Sequence, residues 1–361
     1  MPRFAPEPPH QHGGAQRTAV LLVNLGTPES PTAPALRRYL KEFLSDPRVV
    51  EIPKPVWWLV LNGIILNTRP AKSAAKYASI WMAEGSPLRV YTERQAKFLR
   101  GLLGQRGLGE LRVEWAMRYG SPGIQESIDR LKQEGVQRIL ILPLYPQYAA
   151  STTASVMDEV AEWIKRSRNL VEFRAIRNYH DDPAYIGALA ASVREHWARE
   201  GRGEVLLMSF HGLPKRSLSL GDPYFCECQK TGRLLADALQ LPESAYRITF
   251  QSRFGKAEWL QPYTQLSLEN LPTEGIKKVD VICPGFVADC LETLEEIAME
   301  CKHAFLAAGG ESFSYIPCLN DRPDWIATLA DLTTRHIGGW PLAVAADAAG
   351  TARAKKLGAP S

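Results

Sequence analysis

The sequence lacks any apolar run of the roughly 18–20 residues that a membrane-crossing helix needs, which excludes a protein built on spanning helices. Cysteine is scarce. Six in 361 residues are too few for the disulfide scaffold of a small secreted domain. An excess of one charge is also missing. The 43 basic and 39 acidic side chains leave a formal +4, not the footprint of a dedicated nucleic-acid binder. No GxxxxGK[ST], CxxC…CxxC, HExxH or GxSxG string occurs. The glycines of GLLGQRGLGE follow a helical pattern instead of joining strand to helix, so they make no dinucleotide fingerprint. These absences argue against the common nucleotide, zinc-protease and hydrolase sites. What is present is ordinary for a globular chain: 45% apolar and 23% charged residues. The length suits two or three domains and a large core. Twenty-six prolines and nine tryptophans are left to explain.

Residues 1–17 hold four prolines, a Gly pair and no Leu, Ile or Val, and read as a disordered tail without the apolar middle of a signal peptide. The cytoplasm and reduced thiols are the corresponding expectation. Residues 344–361, rich in Ala, Gly and Lys, read as a second flexible tail. Between them, TAVLLVNLG, QRILILPLYPQ, EVLLMSFHG and KVDVICPGF are short apolar runs of β-formers, and amphipathic patterns separate them. That alternation predicts an α/β fold with a mostly parallel sheet. The chain also repeats itself. AVLLVNLGTPES near residue 20 resembles EVLLMSFHGLPKRS near 205, and RILILPLYPQY near 139 resembles KVDVICPGF near 279. Two similar doubly wound domains follow, 18–180 and 181–343, with ligand bound at the strand carboxyl ends in a cleft between them. The first half carries about 45 extra residues, assigned to an insertion at 39–90. Within it PVWWLVLNGIIL (55–66) reads either as a buried helix or as an apolar lip that grips a flat ligand or dips into a membrane surface.

Three groups could carry chemistry. His211 ends the run VLLMSF beside Gly212, which aims an imidazole at the cleft. Asp289, Glu292, Glu296 and Glu300 lie in DCLETLEEIAME, a stretch with acids and no base. Glu292, Glu296 and Glu300 are four apart, hence on one helix face, where like charges repel by a few tenths of a kcal/mol per pair. A row of that kind suits a divalent cation or a proton relay, or else a solvated face. Tyr145–Tyr148 followed by Ser151–Thr153 forms the third group. Its hydroxyls read as helix caps and Tyr148 as the side chain facing a site. Arg69, Arg118 and Trp259 are candidates to hold an aromatic ligand bearing carboxylates, by planar fork and by stacking.

LLVNLGTPES, the Arg69–Lys72 stretch, EGSP at Glu84–Pro87, MRYG at Met117–Gly120, YPQY…STT, SFHGLP, GDPY, FQSRFG and ADCLETLEEI occur in one order. From about Thr18 to His336 the chain thereby resembles the ferrochelatases, which insert ferrous iron into protoporphyrin. The resemblance implies two similar flavodoxin-like (chelatase) domains with the porphyrin cleft between them. It implies His211 as the active-site histidine and metal contact, and Glu292 as its paired glutamate. Glu296, Glu300 and Asp289 become the relay. Leu25, Arg69, Arg118, Tyr119, Tyr148, Trp259 and Phe286 become porphyrin contacts, and 55–66 the lip, associated with membrane in some relatives. Cys290 stands where some members have histidine. Animal members hold a [2Fe–2S] cluster through a cysteine in the YPQY turn and three in a C-terminal extension. Here the turn has Ala150 and no cysteine follows Cys318, so that arrangement is impossible and no cofactor beyond substrate Fe²⁺ is expected. Protoporphyrin IX and Fe²⁺ are the expected partners, with no nucleic acid, in a monomer or homodimer that is cytoplasmic or peripheral to the inner membrane face. A sister chelatase using coproporphyrin, cobalt or nickel is one rival, and a two-lobed carrier of haem or iron is another.

Overall fold

The computed structural model describes residues 4–7, 12–253, 255 and 257–359. The first half runs β1 (Gln16–Gly26), α1 (Ala33–Ser45), α2 (Lys54–Val60), α3 (Leu66–Ile80), α4 (Pro87–Gln105), β2 (Arg112–Tyr119), α5 (Ile124–Gln133), β3 (Val136–Pro143), α6 (Ser155–Arg166) and β4 (Glu172–Ala175). The second runs α7 (Pro183–Glu200), β5 (Val205–His211), α8 (Arg216–Ser219), α9 (Tyr224–Ala238), β6 (Tyr246–Gln251), α10 (Thr264–Asn270), β7 (Lys278–Ile282), α11 (Lys302–Ala307), β8 (Ser312–Ile316) and α12 (Pro323–His336). Residues Leu61–Ile65, Ala150–Ala154 and Glu292–Cys301 are π-helical.

The two sheets share one topology. The first has the order β2-β1-β3-β4 and the second β6-β5-β7-β8, with parallel pairing throughout these paths. The duplicated strings of the sequence are therefore the two central strands of each sheet, β1 with β3 and β5 with β7. Their apolar runs are continuous because helices cover both faces. Ala19, Leu21 and Val23 pack towards α5 and α6, while Val20 and Leu22 join the opposite face. In such sheets the crevice for ligand lies outside the strand carboxyl ends, where the connections reverse. Here those ends are Gly26 and Pro143, and His211 and Ile282.

The halves are not separate globules. One hydrophobic cluster runs from Val20, Leu22 and Leu142 to Met208, Phe210 and Ile282. Helices α7 and α12 pack on each other, and α12 also packs on α4 of the first half. Trp325 of α12 is fully buried, stacked on Tyr179 and edge-on to Tyr185.

The insertion supplies extra helices between β1 and β2. Its 55–66 segment is not a buried helix: Val56, Trp58, Leu59 and Ile64 are each more than half exposed, whereas Leu61 and Leu66 anchor it. The described parts of both expected tails are also placed differently from the sequence expectation. Gln16 and Arg17 belong to β1 and pair antiparallel with β9 (Ala343–Val344), and Ala348–Lys356 forms α13. Asp347 and Thr351 bond the Gly13 and His12 carbonyls. Residues 1–3, 8–11 and 360–361 of those tails lie outside the described residues. Among the described residues no helix is long and apolar enough to cross a membrane.

Candidate active site

The site is built from the end of β5. The strand is buried up to Phe210, and His211 emerges half-buried. Its Nδ1 lies 2.7 Å from the Gly212 carbonyl oxygen. A carbonyl only accepts, so Nδ1 carries the hydrogen and Nε2 of the neutral ring is left as proton acceptor. Gly212 has no room for a side chain. A Cβ there would meet the Gln251 carbonyl oxygen at 2.6 Å and Trp259 Cε3 at 3.2 Å. The missing side chain lets the Trp259 indole lie against the backbone beside the histidine. Phe286, after the end of β7, sets its ring 6.4 Å from the imidazole. Leu25, at the matching end of β1, joins Phe286 in a cluster with Leu88, Ala288 and Cys290. Just beyond it Gly26, at φ +119°, lies where any Cβ would fall 1.8 Å from the Tyr119 carbonyl oxygen.

The acidic row occupies the π-helix Glu292–Cys301, whose wider i→i+5 turn is rare and recurs at functional sites. Glu296 is fixed by the end of β6. Ser252 donates its N–H to Oε1 at 2.7 Å and its hydroxyl to Oε2. Ser252 reaches this position with a left-handed backbone, φ +63°. Gln251 Nε2 donates to the Glu292 carbonyl at 2.8 Å. Burial pushes the Glu296 carboxyl above its ordinary 4.5, against the bonds from Ser252 and the pull of His211. Tyr39 and Tyr77 are pushed well up, first by burial and then by charges that include Glu292. Both stay neutral phenols beside the row. At the outer end Lys76 of α3 pairs with Glu295 at 3.0 Å and Glu300 at 2.9 Å. The base missing from the stretch itself thus arrives from the insertion. An open cavity of about 510 Å³ lies there, lined by Gln265, Met299, Glu300 and His303. Among the described residues no three His, Cys, Asp or Glu side chains converge to hold a metal ion.

Several expected residues are engaged elsewhere. Asp289 is 4% exposed, and its carboxylate accepts from Thr293, Tyr315, Cys318 N–H and Asn320. Its acceptor capacity is spent on holding the turn before the π-helix, so it does not extend the relay. Tyr119 is fully buried, with its hydroxyl donating to Asp46 at 2.8 Å. Arg118 pairs with the same Asp46 carboxylate at 2.7 Å and with Glu159 at 3.4 Å. This pair braces the first half from inside, and Tyr119 packs in one cluster with Leu25 and Leu291. Burial works to raise the Asp46 carboxyl, but bonds from Ser155, Arg48 N–H and Tyr119 and the Arg118 charge hold it below the ordinary range. Arg69 is exposed on α3, beyond the lip. Tyr148 is half-buried, with the Arg177 guanidinium over its ring at 4.3 Å. Asp46, Lys76 and Glu295 escaped the sequence reading. Only Glu295, inside the acidic stretch, carried any signal.

The ferrochelatase family model matches residues 17–337. The ferrochelatase of Dechloromonas aromatica is 66% identical over 350 residues, 96% of this chain and 95% of that protein. That of Aromatoleum aromaticum is 63% identical over 363 residues, 99% and 100% of the two chains. Among solved structures, SirB of Bacillus subtilis with Fe³⁺ superposes with a TM-score of 0.52 at 11% identity, covering 90% of this chain and 99% of that one. The sirohydrochlorin chelatase SirB of B. subtilis subspecies spizizenii with cobalt gives 0.51 at 10%, covering 90% and 97%. These two likenesses establish a shared chelatase fold. The relatives match from end to end and not by isolated strings, so the chain belongs to the ferrochelatase family: it is a lyase that inserts ferrous iron into a porphyrin in haem synthesis.

Proposed function

We propose that the porphyrin lies over the carboxyl ends of the central strands, with His211, Trp259 and Phe286 against one part of it and Leu25 and Tyr148 against another. Insertion exchanges two pyrrole protons for one Fe²⁺, so charge balances at the ring while the protein must take up two protons. His211 takes the first at Nε2, because Nδ1 already donates to Gly212. Glu292 accepts or relays the second, and the raised carboxyl of Glu296 holds a proton at a higher pH than an exposed glutamate. The ring nitrogens themselves coordinate the ion, so the protein needs only one or two transient contacts, His211 and Glu292, and no closed cage. Apolar walls that hold the macrocycle distorted supply part of the barrier lowering. The observation that carries this reading is the half-buried imidazole with its tautomer pinned, beside a carboxyl pushed towards neutrality. His211→Ala, with porphyrin binding followed separately by fluorescence, is expected to bind and not insert. Normal insertion by that variant overturns the assignment.

Three finer assignments belong to the same proposal. Arg69 meets a propionate at the lip. The exposed Val56, Trp58, Leu59 and Ile64 dock on the surface of the cytoplasmic membrane, which co-sedimentation with anionic vesicles tests. Protoporphyrin is preferred over coproporphyrin and no iron–sulfur cluster is carried. Insertion rates for the two porphyrins and the visible spectrum of the freshly purified protein check these points.

A further inference from the structure

The Tyr145–Tyr148 turn belongs to the first half of the chain, yet three of the side chains that hold it, Asp222, Glu227 and Thr231, come from the second. Helix α9 follows Gly221-Asp222-Pro223 and carries Glu227, flanked by Cys226 and Cys228. Glu227 is 7% exposed, a rare place for a carboxylate. Its Oε2 accepts the Tyr148 N–H at 2.7 Å, and its Oε1 accepts from Asn178 Nδ2 at 2.8 Å. Arg177 Nη1 lies 3.5 Å from Oε1, and the same guanidinium covers the Tyr148 ring at 4.3 Å. On the same strap, Asp222 accepts the Ala150 N–H at 2.7 Å and Thr231 accepts from Gln147 at 3.0 Å. His180 Nδ1 stands 3.4 Å from Glu227 without the alignment of a hydrogen bond. Burial pushes this imidazole below its ordinary value against the pull of Glu227 and Asp181. Near neutrality Arg177 is therefore the cation that balances Glu227. Apolar packing alone would join the two halves at lower desolvation cost. A carboxylate adds direction: one short charge-assisted bond to a backbone N–H and one guanidinium aimed at a ring.

We propose that Glu227 is a positioning residue for the porphyrin: from the second domain it fixes both the backbone and, through Arg177, the ring of Tyr148 in the first. This rests on the reading of Tyr148 as a cleft wall. Nothing in proton or metal handling passes through Glu227, so its loss acts on porphyrin binding.

The test is steady-state insertion with the full chain, varying porphyrin and metal separately. Glu227→Gln keeps volume and an acceptor oxygen but removes the charge. Arg177→Gln, at a side chain 59% exposed, removes the guanidinium from both Glu227 and the Tyr148 ring while leaving the Glu227–Tyr148 N–H bond in place. Each is expected to raise the porphyrin KM about three- to tenfold, the scale of one ordinary hydrogen bond's net worth, with kcat and the metal KM within about twofold. In a double-mutant cycle, Glu227→Gln on a Tyr148→Ala background is expected to add nothing further. Additive effects, or equal losses in kcat and in the metal KM, overturn the proposal while leaving Tyr148 in the cleft. An unchanged porphyrin KM in Tyr148→Ala overturns the cleft reading and the proposal with it.

Discussion

Gly212→Ala adds one methyl group next to the proposed base and tests how tightly His211 is placed. The new Cβ would stand 2.6 Å from the Gln251 carbonyl oxygen and 3.2 Å from Trp259 Cε3. Ordinary contacts lie near 3.5 Å, so the strand must yield by roughly 0.9 Å and the indole by about 0.3 Å. The carbonyl belongs to β6, which pairs with β5 at His211, and it cannot swing away as a side chain could. Overpacking of this kind costs about 1–3 kcal/mol of stability. The larger effect falls on rate, since a misplacement of about 1 Å can cost about a hundredfold. The expected outcome is a folded protein of lower Tm with kcat/KM for iron insertion down about 10- to 100-fold. Porphyrin binding, followed by fluorescence quenching, changes less. Gly101→Ala is the control. It lies inside α4 with open space around it and should be neutral or gain up to about 1 kcal/mol. Unchanged kinetics in Gly212→Ala would refute the claim that the β5–β6 register aims the imidazole.

Two further perturbations follow from groups the sequence reading passed over. The Glu7 carboxyl is held down to about 2: burial acts against it, but Lys132, the Asn169 and Arg168 N–H groups and Ser167 outweigh that. A depressed pKa stabilises above the unfolded value near 4.5, and the gain is lost as pH falls through about 2. Glu7→Gln should therefore cost about 1–2 kcal/mol at pH 7 after screening and progressively less towards pH 2. A penalty independent of pH in denaturant melts contradicts this. Lys76→Gln removes the resident cation from Glu295 and Glu300. The pair is partly exposed and worth about 0.2–1 kcal/mol, so the metal KM should fall by up to about fivefold with the porphyrin KM unchanged. An unaltered metal KM argues that the outer row does not handle metal.

Much of this architecture was legible because parallel strands buried on both faces leave continuous apolar runs, and because the runs repeat. VLLVNLG and VLLMSFHG are the central strands β1 and β5, and the turns after β3 and β7 share Pro146 and Pro284. His211 was legible for the same reason: a polar residue that ends such a run stands at the ligand-binding edge. Long-range partners were not legible. Nothing in Arg118-Tyr119 signals that Asp46, 72 positions away, spends the arginine's charge inside the domain. Nothing in DCLETLEEIAME announces Lys76 on α3, or the four donors that occupy Asp289. The tails misled because composition reports the burial a segment could achieve alone. Here each end borrows the other, β9 completing β1 and α13 bonding the chain at His12.

The duplication also sharpens what makes the site catalytic. Leu25 and His211 occupy equivalent strand ends, each followed by glycine, and Tyr148 and Phe286 follow equivalent prolines. A nearly symmetric scaffold thus offers a flat ligand two unlike edges, with the imidazole and the acidic row both in the second half. The difference extends one layer outward. Behind His211 stands the π-helix with Glu292 and Glu296, whereas the π-helical turn after Tyr148 is Ala-Ser-Thr-Thr-Ala. Asp158, the first acid in the helix that follows, is tied to Arg48. On the proposed mechanism, proton uptake requires imidazole and acidic row together. The double variant Leu25→His with His211→Leu moves the imidazole to the equivalent position and tests this directly. It is expected to bind porphyrin and to remain as inactive as His211→Leu, because the first half places no acidic row behind that strand end, and its raised carboxyl, Glu42, is engaged by the Gly120 N–H instead. Recovery of even a tenth of wild-type insertion in stopped-flow assays would show that the imidazole suffices and that the row serves only packing.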